Sequence, residues 1–492
     1  MYIIHRGIKK VNEFLPVTNH WLILFASIPV ALSTGTIFVY SVYSTELAQR
    51  CQLDASQTGS LNISATIGTA FGGLLGGLIT DTYGTQLPIL VSCVSISLGY
   101  KWLYDSYRSG PNSNMVLLLF SMFLVGVGSV SGYFSAIKAV TLNFPNYKSS
   151  AQSVTIASFA ISSLLFSFIS SRVLKGDIGA FLYFMHVACG LLIMLGFLFI
   201  RVDGHFDDKK QYHEGQVECD EMTGLLISNQ SECEDNSDYL EDNKDLKSMS
   251  LKKSLVHPIF WYHYFILSLI QGFGQMYIYS IGFILKAIHY YYDNEVSQKS
   301  GTSSLQSHQA LHVSLIAISS FIGRLSSGPQ SDFLVRKLHC QRHWILILGL
   351  SLMFAGHSIN CIDLTYLCSD LRRANKILSL ASCIIGYAYG FSFTCYPAII
   401  SDLFNMRNYS FLWGTMYTST TFGLALMTTI FGYYYDLNST EWDHHVEKYV
   451  CDKGSGCYKS TFQITSGLCV FTAILVLGYI YTKRSNKPPI TL

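Results

Sequence analysis

Long apolar runs separated by short polar breaks dominate the chain. Six runs come first, at about 21–43, 59–80, 86–104, 115–140, 151–171 and 180–200. A hydrophilic stretch follows, and six more runs occupy about 258–284, 309–331, 343–362, 376–400, 410–433 and 461–481. Each is close to the roughly 20 residues that a helix needs to cross the hydrocarbon of a bilayer. Glycine and hydroxyl residues are frequent inside the runs, as in Gly68-Thr69-Ala70-Phe71-Gly72-Gly73 and Gly126-Val127-Gly128-Ser129. Small residues let helix backbones approach closely where lipid supplies no hydrophobic driving force. The pattern predicts an all-α membrane protein, with twelve transmembrane helices in two pseudo-symmetric six-helix bundles.

Between the two sets, residues 201–257 carry fourteen Asp/Glu against seven Lys/Arg. Acidic positions such as Glu232, Glu234, Asp235 and Asp238 leave little to bury, so this segment reads as a disordered linker. The expected organisation is one bundle over 1–200, the linker over 201–257 and a second bundle over 258–492.

Composition agrees with a lipid-solvated chain. Half of the 492 residues are apolar, 13% are charged and the mean hydropathy is +0.32, against about 25% charged residues in soluble domains. The net charge of +2 offers no Lys/Arg-dense face to displace phosphate counterions, which argues against a nucleic-acid partner. Cysteines that fall singly in apolar runs (Cys93, Cys189, Cys383, Cys395 and Cys469) read as small buried hydrophobes. No C-x-x-C or Cys/His ligand spacing occurs, so neither a metal nor a cofactor is expected. Arg6, Lys9 and Lys10 precede a run long enough to be a full span, unlike a cleavable signal. Paired carboxylates, a Ser/His/Asp arrangement and a phosphate loop are all missing from the sequence pattern, so the chain does not read as an enzyme and no residue is assigned as catalytic.

After the second run stands Gly77-Leu78-Ile79-Thr80-Asp81-Thr82-Tyr83-Gly84, and after the eighth stands Gly323-Arg324-Leu325-Ser326-Ser327-Gly328-Pro329-Gln330-Ser331-Asp332, with Arg336 following. Both put Gly-x-x-x-Asp at a helix end. Runs four and ten echo each other as well, through Gly128-x-x-x-Gly132 and Gly386-x-x-x-Gly390. Internal duplication of this kind marks repeat-built transporters. On these residues the chain resembles the major facilitator superfamily, whose signature is a Gly-x-x-x-Asp-x-x-Gly element in a cytosolic loop. Thr82 and Thr85 stand where that signature has basic residues, which predicts a reduced charge network around the first copy. Tyr83-Gly84, Gly132-Tyr133-Phe134-Ser135-Ala136 and Gly323-Arg324-Leu325 extend the resemblance to the fungal monocarboxylate-transporter-homologue and plant nodulin-like branch.

That resemblance implies a secondary transporter moving a small organic solute by alternating access, with termini and linker in the cytosol. Lys/Arg counts in the short loops do not themselves decide the orientation. An Asp at a cytosolic helix end is stabilised against the positive N-terminus of another helix. Asp81 is expected to meet the start of run eleven, and Asp332 the start of run five. Gly77, Asp81, Gly84, Arg324, Gly328, Asp332 and Arg336 then form the expected cytosolic gate. A solute sensor built on the same fold, signalling through the linker instead of transporting, is the rival reading.

The family architecture puts the solute between runs one, four, seven and ten, where ionisable residues are costly and usually functional. Those runs hold no mid-membrane Asp or Glu, which speaks against simple carboxylate-coupled proton symport. Their polar side chains are the candidates: Gln271 and Gln275, i and i+4 on run seven, with Tyr133, Tyr387, Ser131 and Tyr40. Lys138 is expected to snorkel toward the interface. His186 and His263 are expected to pack within their runs in preference to relaying protons.

Glu221, Leu225 and Leu226 form an acidic dileucine pattern in the linker, of the kind that clathrin adaptors read when routing cargo to a vacuole. The loop after run eleven holds a glycosylation acceptor at Asn438 and the pair Cys451 and Cys457, both suited to a lumenal face. The expected protein is thus a vacuolar, multi-pass monomer whose partners are a small-molecule solute, the lipid bilayer and the sorting machinery.

Overall fold

A computed structural model describes residues 19–201, 247–296, 302–368, 370–439, 441–443, 448–451 and 453–485. Twelve long helices run through these residues. In the first half they are α1 (His20–Cys51), α2 (Ala55–Tyr83), α3 (Gln86–Ser109), α4 (Met115–Asn143), α5 (Lys148–Phe168) and α6 (Ile178–Phe199). In the second half they are α7 (Pro258–Val296), α8 (Thr302–Leu338), α9 (His343–Cys361), α10 (Leu371–Leu403), α11 (Tyr409–Asn438) and α12 (Lys459–Ser485). Ten of the twelve are long and apolar enough to cross a membrane. In the other two, tyrosines and glutamines of α7 and tyrosines and threonines of α11 dilute the hydropathy.

Several helices outrun their apolar stretches, because polar residues continue a helix once its ends reach water. Thus α7 continues to Val296 and α10 begins at Leu371. Their starts are set by side-chain caps: Asp54 forms a capping box with Gln57, while Asn114, Asp177 and Asp370 accept from the first turns of α4, α6 and α10.

The helices pack as two sets. In the first, α2 and α3 lie against α4, and α1 is wedged among α4, α5 and α6. In the second, α8 and α9 lie against α10, and α7 against α10 and α11. The α2–α4 and α8–α10 pairs approach closely, with glycines such as Gly126 and Gly390 meeting backbone of the neighbouring helix. Contacts between the sets come from α5 against α8 and from α2 against α11. Large apolar side chains on the outside, such as Phe25, Leu191 and Phe422, are more than half exposed and form a surface suited to lipid.

Beyond α11 the chain makes a feature that the apolar pattern did not announce: a two-stranded antiparallel hairpin of β1 (Glu441–Asp443) and β2 (Lys448–Val450). The Cys451–Cys457 disulfide follows it. Ser455, inside the small loop this closes, donates to Asp363 Oδ1 at 2.5 Å and so ties the hairpin to the α9–α10 connection.

Candidate functional site: a motif layer and a buried arginine

The two Gly-x-x-x-Asp copies act as helix-docking devices. Gly77 has no side chain where α2 touches α11; a Cβ there would lie 2.6 Å from the Ser410 carbonyl oxygen. One turn on, Asp81 points at the open N-terminus of α11, where backbone N–H groups lack intrahelical partners. Its carboxylate accepts from Ser410 N at 3.1 Å and Phe411 N at 2.8 Å. Gly84 then ends α2 with φ of +87°, a left-handed value that glycine adopts without strain. The second copy repeats the arrangement. Gly328 lies against Ser149 and Ser153, and Asp332 accepts from Ser149 N at 3.4 Å, Ser150 N at 2.8 Å and Ser150 Oγ at 2.7 Å, all at the start of α5. Each half thus caps a helix of the other, at the helix starts that the duplicated motif anticipates.

The charges around these carboxylates differ from the expectation. Lys138 does not snorkel: its side chain is 1% exposed and pairs with Asp81 at 2.6 Å. It supplies the positive charge that Thr82 and Thr85 lack, because α4 packs so tightly on α2 that the ammonium has no path to the surface. Arg336 does not pair with Asp332 but lies over the Tyr147 ring at 4.1 Å. Arg342, at the start of α9, bridges Asp332 at 2.8 Å and Asp402 of α10 at 2.7 Å. Lys148 of α5 also pairs with Asp402, adding a link between halves. Gln152 donates to the Tyr409 hydroxyl at 3.3 Å. Among the described residues, these hydrogen bonds between the halves gather at one end, which they hold together.

Arg324 is not part of this layer. It lies eight residues before Asp332, about 12 Å away along α8 at 1.5 Å per residue, and it is 7% exposed. Its guanidinium sits over the rings of Phe393 at 5.0 Å and Tyr389 at 5.5 Å. The Phe393 ring lies 6.2 Å from that of Tyr417 on α11, which is 5.6 Å from Phe134, the neighbour of Tyr133 on α4. Among the described residues no carboxylate pairs with Arg324. This cation, expected in the gate, comes from α8, outside runs one, four, seven and ten.

Two predicted residues join this cluster. Tyr133 stacks on Phe159 at 4.0 Å and its buried hydroxyl has no partner. Gln275 donates to the Tyr389 hydroxyl at 3.4 Å, leaving its Oε1 unpaired. Gln271, one turn away, is fully buried with neither amide atom paired. Buried polar atoms are normally satisfied, so these orphans mark a place for a polar ligand or water. Phe134, Trp413 and Tyr417 complete an aromatic wall across the halves. The remaining candidates have partners within their own halves: Ser131 lies against Gly76 of α2, the Tyr387 hydroxyl bonds Ser326 at 2.8 Å, and Tyr40 donates to the Thr58 carbonyl at 2.8 Å. His186 joins α6 to Ser97 of α3, and His263 is buried beside His343 and Tyr479. Asn438 ends α11 with Nδ2 donating to the Tyr434 carbonyl at 2.8 Å. Glu221, Leu225 and Leu226 fall outside the described residues.

The sequence pattern of the Major Facilitator Superfamily matches residues 23–336 and again 301–491. The chain belongs to that superfamily. Its duplicated motif and paired six-helix sets are therefore those of a transporter family, and the protein is a multi-pass membrane transporter and no enzyme. An uncharacterized membrane protein of Saccharomyces cerevisiae is similar at 28% identity, over 97% of this chain and 98% of that one. The probable transporter MCH1 of Wickerhamomyces anomalus is 25% identical over 82% of this chain and 77% of its own. Among solved structures, the proton:xylose symporter XylE bound to 6-bromo-6-deoxy-D-glucose superposes with a TM-score of 0.63 at 13% identity, covering 94% of this chain and 96% of that one. That likeness is one of fold.

Proposed function

We propose that this protein carries a small organic anion across an endomembrane by alternating access, with Arg324 as the anion's counter-charge. The observation that carries this reading is the guanidinium itself, buried among Tyr389 and Phe393 with no described carboxylate beside it. A buried, uncompensated cation is costly, and an anionic solute would relieve that cost. Tyr133, Gln275 and Gln271 offer unpaired donors and acceptors to orient the solute's remaining polar groups.

The motif layer is the cytosolic gate in this reading, and the structure corresponds to a state closed on that side. Opening requires Asp81 and Asp332 to release the starts of α11 and α5 while the bundles, 1–200 and 258–492, rock about the arginine. The linker with Glu221, Leu225 and Leu226 then lies in the cytosol for adaptor recognition, and Asn438 lies in the lumen for glycosylation. A vacuole is the destination that this dileucine pattern favours.

The test is metabolite profiling of vacuoles isolated with and without the protein. Carboxylate-bearing solutes should change, and Arg324→Gln should abolish the change while the protein remains folded and correctly located. If only neutral or cationic solutes responded, or if Arg324→Gln left every response intact, the anion reading would fail. Gln275→Ala should weaken the same response.

A further inference from the structure

At the end opposite the motif layer, the first half carries a cleft of about 440 Å³ where the last turns of α1 and α3 meet the start of α6. Arg50 of α1 and Arg108 of α3 line it, with Tyr104, Tyr107, Asp177 and Tyr183. The Arg50 guanidinium lies over the Tyr107 ring at 5.9 Å, and that of Arg108 over the Tyr104 ring at 5.8 Å. The Tyr104 ring meets that of Tyr183 at 5.5 Å. Tyr104 and Arg108 are i and i+4 on α3, so helix spacing alone brings them together. Arg50 and Tyr107 meet only because α1 ends against α3. Both arginines remain exposed.

A guanidinium over a ring keeps the N–H donors along its edge available, and it has five of them. Among the described residues neither arginine donates a side-chain hydrogen bond or forms an ion pair. Glu46, one turn before Arg50, and Asp105, three residues before Arg108, are exposed and pair with neither. Asp177 is the carboxylate in the lining, and its Oδ1 accepts from Ala180 N at 3.0 Å as the cap of α6. Its charge is thus partly met by a helix N-terminus. Two arginines against that one occupied carboxylate make the cleft a site for an anion.

The surface that continues from the cleft selects the kind of anion. On α6, Tyr183, Val187, Leu191 and Leu195 follow one another at four-residue steps, and all are exposed. Residues so spaced lie on one side of a helix. The stripe runs about 18 Å at 1.5 Å per residue, close to half of the roughly 30 Å hydrocarbon thickness. Its head is a tyrosine, the residue type that favours the membrane interface. A molecule with a phosphate at one end and an acyl chain at the other matches both parts, whereas a free anion would leave the stripe bare. We propose that this cleft binds an anionic phospholipid of the leaflet opposite the motif layer, with its phosphate between Arg50 and Arg108 and an acyl chain along the α6 stripe. The site is independent of which solute the protein carries.

The test uses the full chain in phosphatidylcholine nanodiscs doped with phosphatidylglycerol whose acyl chain bears a photoactivatable diazirine. Mass spectrometry after illumination reads the label between Tyr183 and Leu195. Wild type should be labelled several-fold more by this lipid than by phosphatidylcholine carrying the same chain, and equal labelling overturns the proposal. Arg50→Gln/Arg108→Gln should bring the two lipids level, and a preference that survives in this variant refutes the site. Asp177→Asn removes the opposing charge while keeping a capping side chain, so it should raise the preference. If the double variant does not fold, Arg108→Gln and Asp177→Asn must move the preference in opposite directions. Arg373→Gln, at the start of α10 on the same face of the second half, should leave it unchanged; an equal loss there would mean a general effect of surface charge and overturn the site. Inorganic phosphate at matched ionic strength separates the two sources of anion. Labelling should withstand it, and displacement by phosphate would make the cleft a free-anion site and refute the lipid reading.

Discussion

Gly77→Ala should prise open the motif end while sparing both bundles. The added Cβ would lie 2.6 Å from the Ser410 carbonyl oxygen, 2.8 Å from its carbon and 3.0 Å from Phe411 Cα. These are backbone atoms, so no rotamer change relieves the clash, and α2 must withdraw from α11 by about 0.8 Å to reach ordinary contact. The bonds from Asp81 to Ser410 N and Phe411 N start at 3.1 and 2.8 Å. That withdrawal stretches them past the useful range for N–H···O bonds. Each hydrogen bond to a charged group contributes about 1.5–3 kcal/mol. Water entering the gap recovers part of this, leaving a penalty of roughly 2–4 kcal/mol confined to the closed state. The equilibrium should therefore move about 30- to 1000-fold toward the open gate. Hydrogen exchange at the Ser410 and Phe411 amides measures the shift. Gly467→Ala is the control, because nothing lies within 4 Å of its added carbon. Unchanged protection at those amides in Gly77→Ala would refute the docking argument.

Lys138→Met should lower stability by about 3–5 kcal/mol by stranding the buried Asp81 carboxylate, and adding Asp81→Asn should recover most of it; additive losses in thermal melting would show that the pair is not coupled. Replacing Cys451 and Cys457 by serine should cost about 2 kcal/mol, the low end for a disulfide because the loop is short, and melting should lose its sensitivity to reductant. Ser455 and Thr365 hydroxyl donation holds the Asp363 carboxyl below its ordinary range, with help from the Tyr366 backbone and Lys459. A lowered folded value means its stabilisation is complete above the unfolded value of roughly 3.9 and is lost as pH falls through the folded one. Exchange in the 454–457 turn should therefore rise only in that acid window, and Asp363→Asn should abolish the response.

What the chain determined by itself is what depends on local composition and repetition. Runs of apolar residues need lipid or a core wherever they end up, so the long helices were legible without coordinates. The duplicated Gly-x-x-x-Asp was legible too, because a glycine and an aspartate four residues apart share one helix face whatever surrounds them. The partners were not. Lys138 is 57 residues from Asp81, and nothing in its neighbourhood distinguishes an ammonium bound for the interface from one trapped against α2. Arg342, outside the motif, is the cation of Asp332 because the turn into α9 returns it beside the carboxylate. Arg324 stands four residues before Gly328 in sequence, yet the rise of α8 carries it a further turn and more into the bundle, among rings from α10. Helix rotation and packing choose which charge meets which, and in a low-dielectric interior those meetings decide where the chemistry is; only the tertiary structure holds that information.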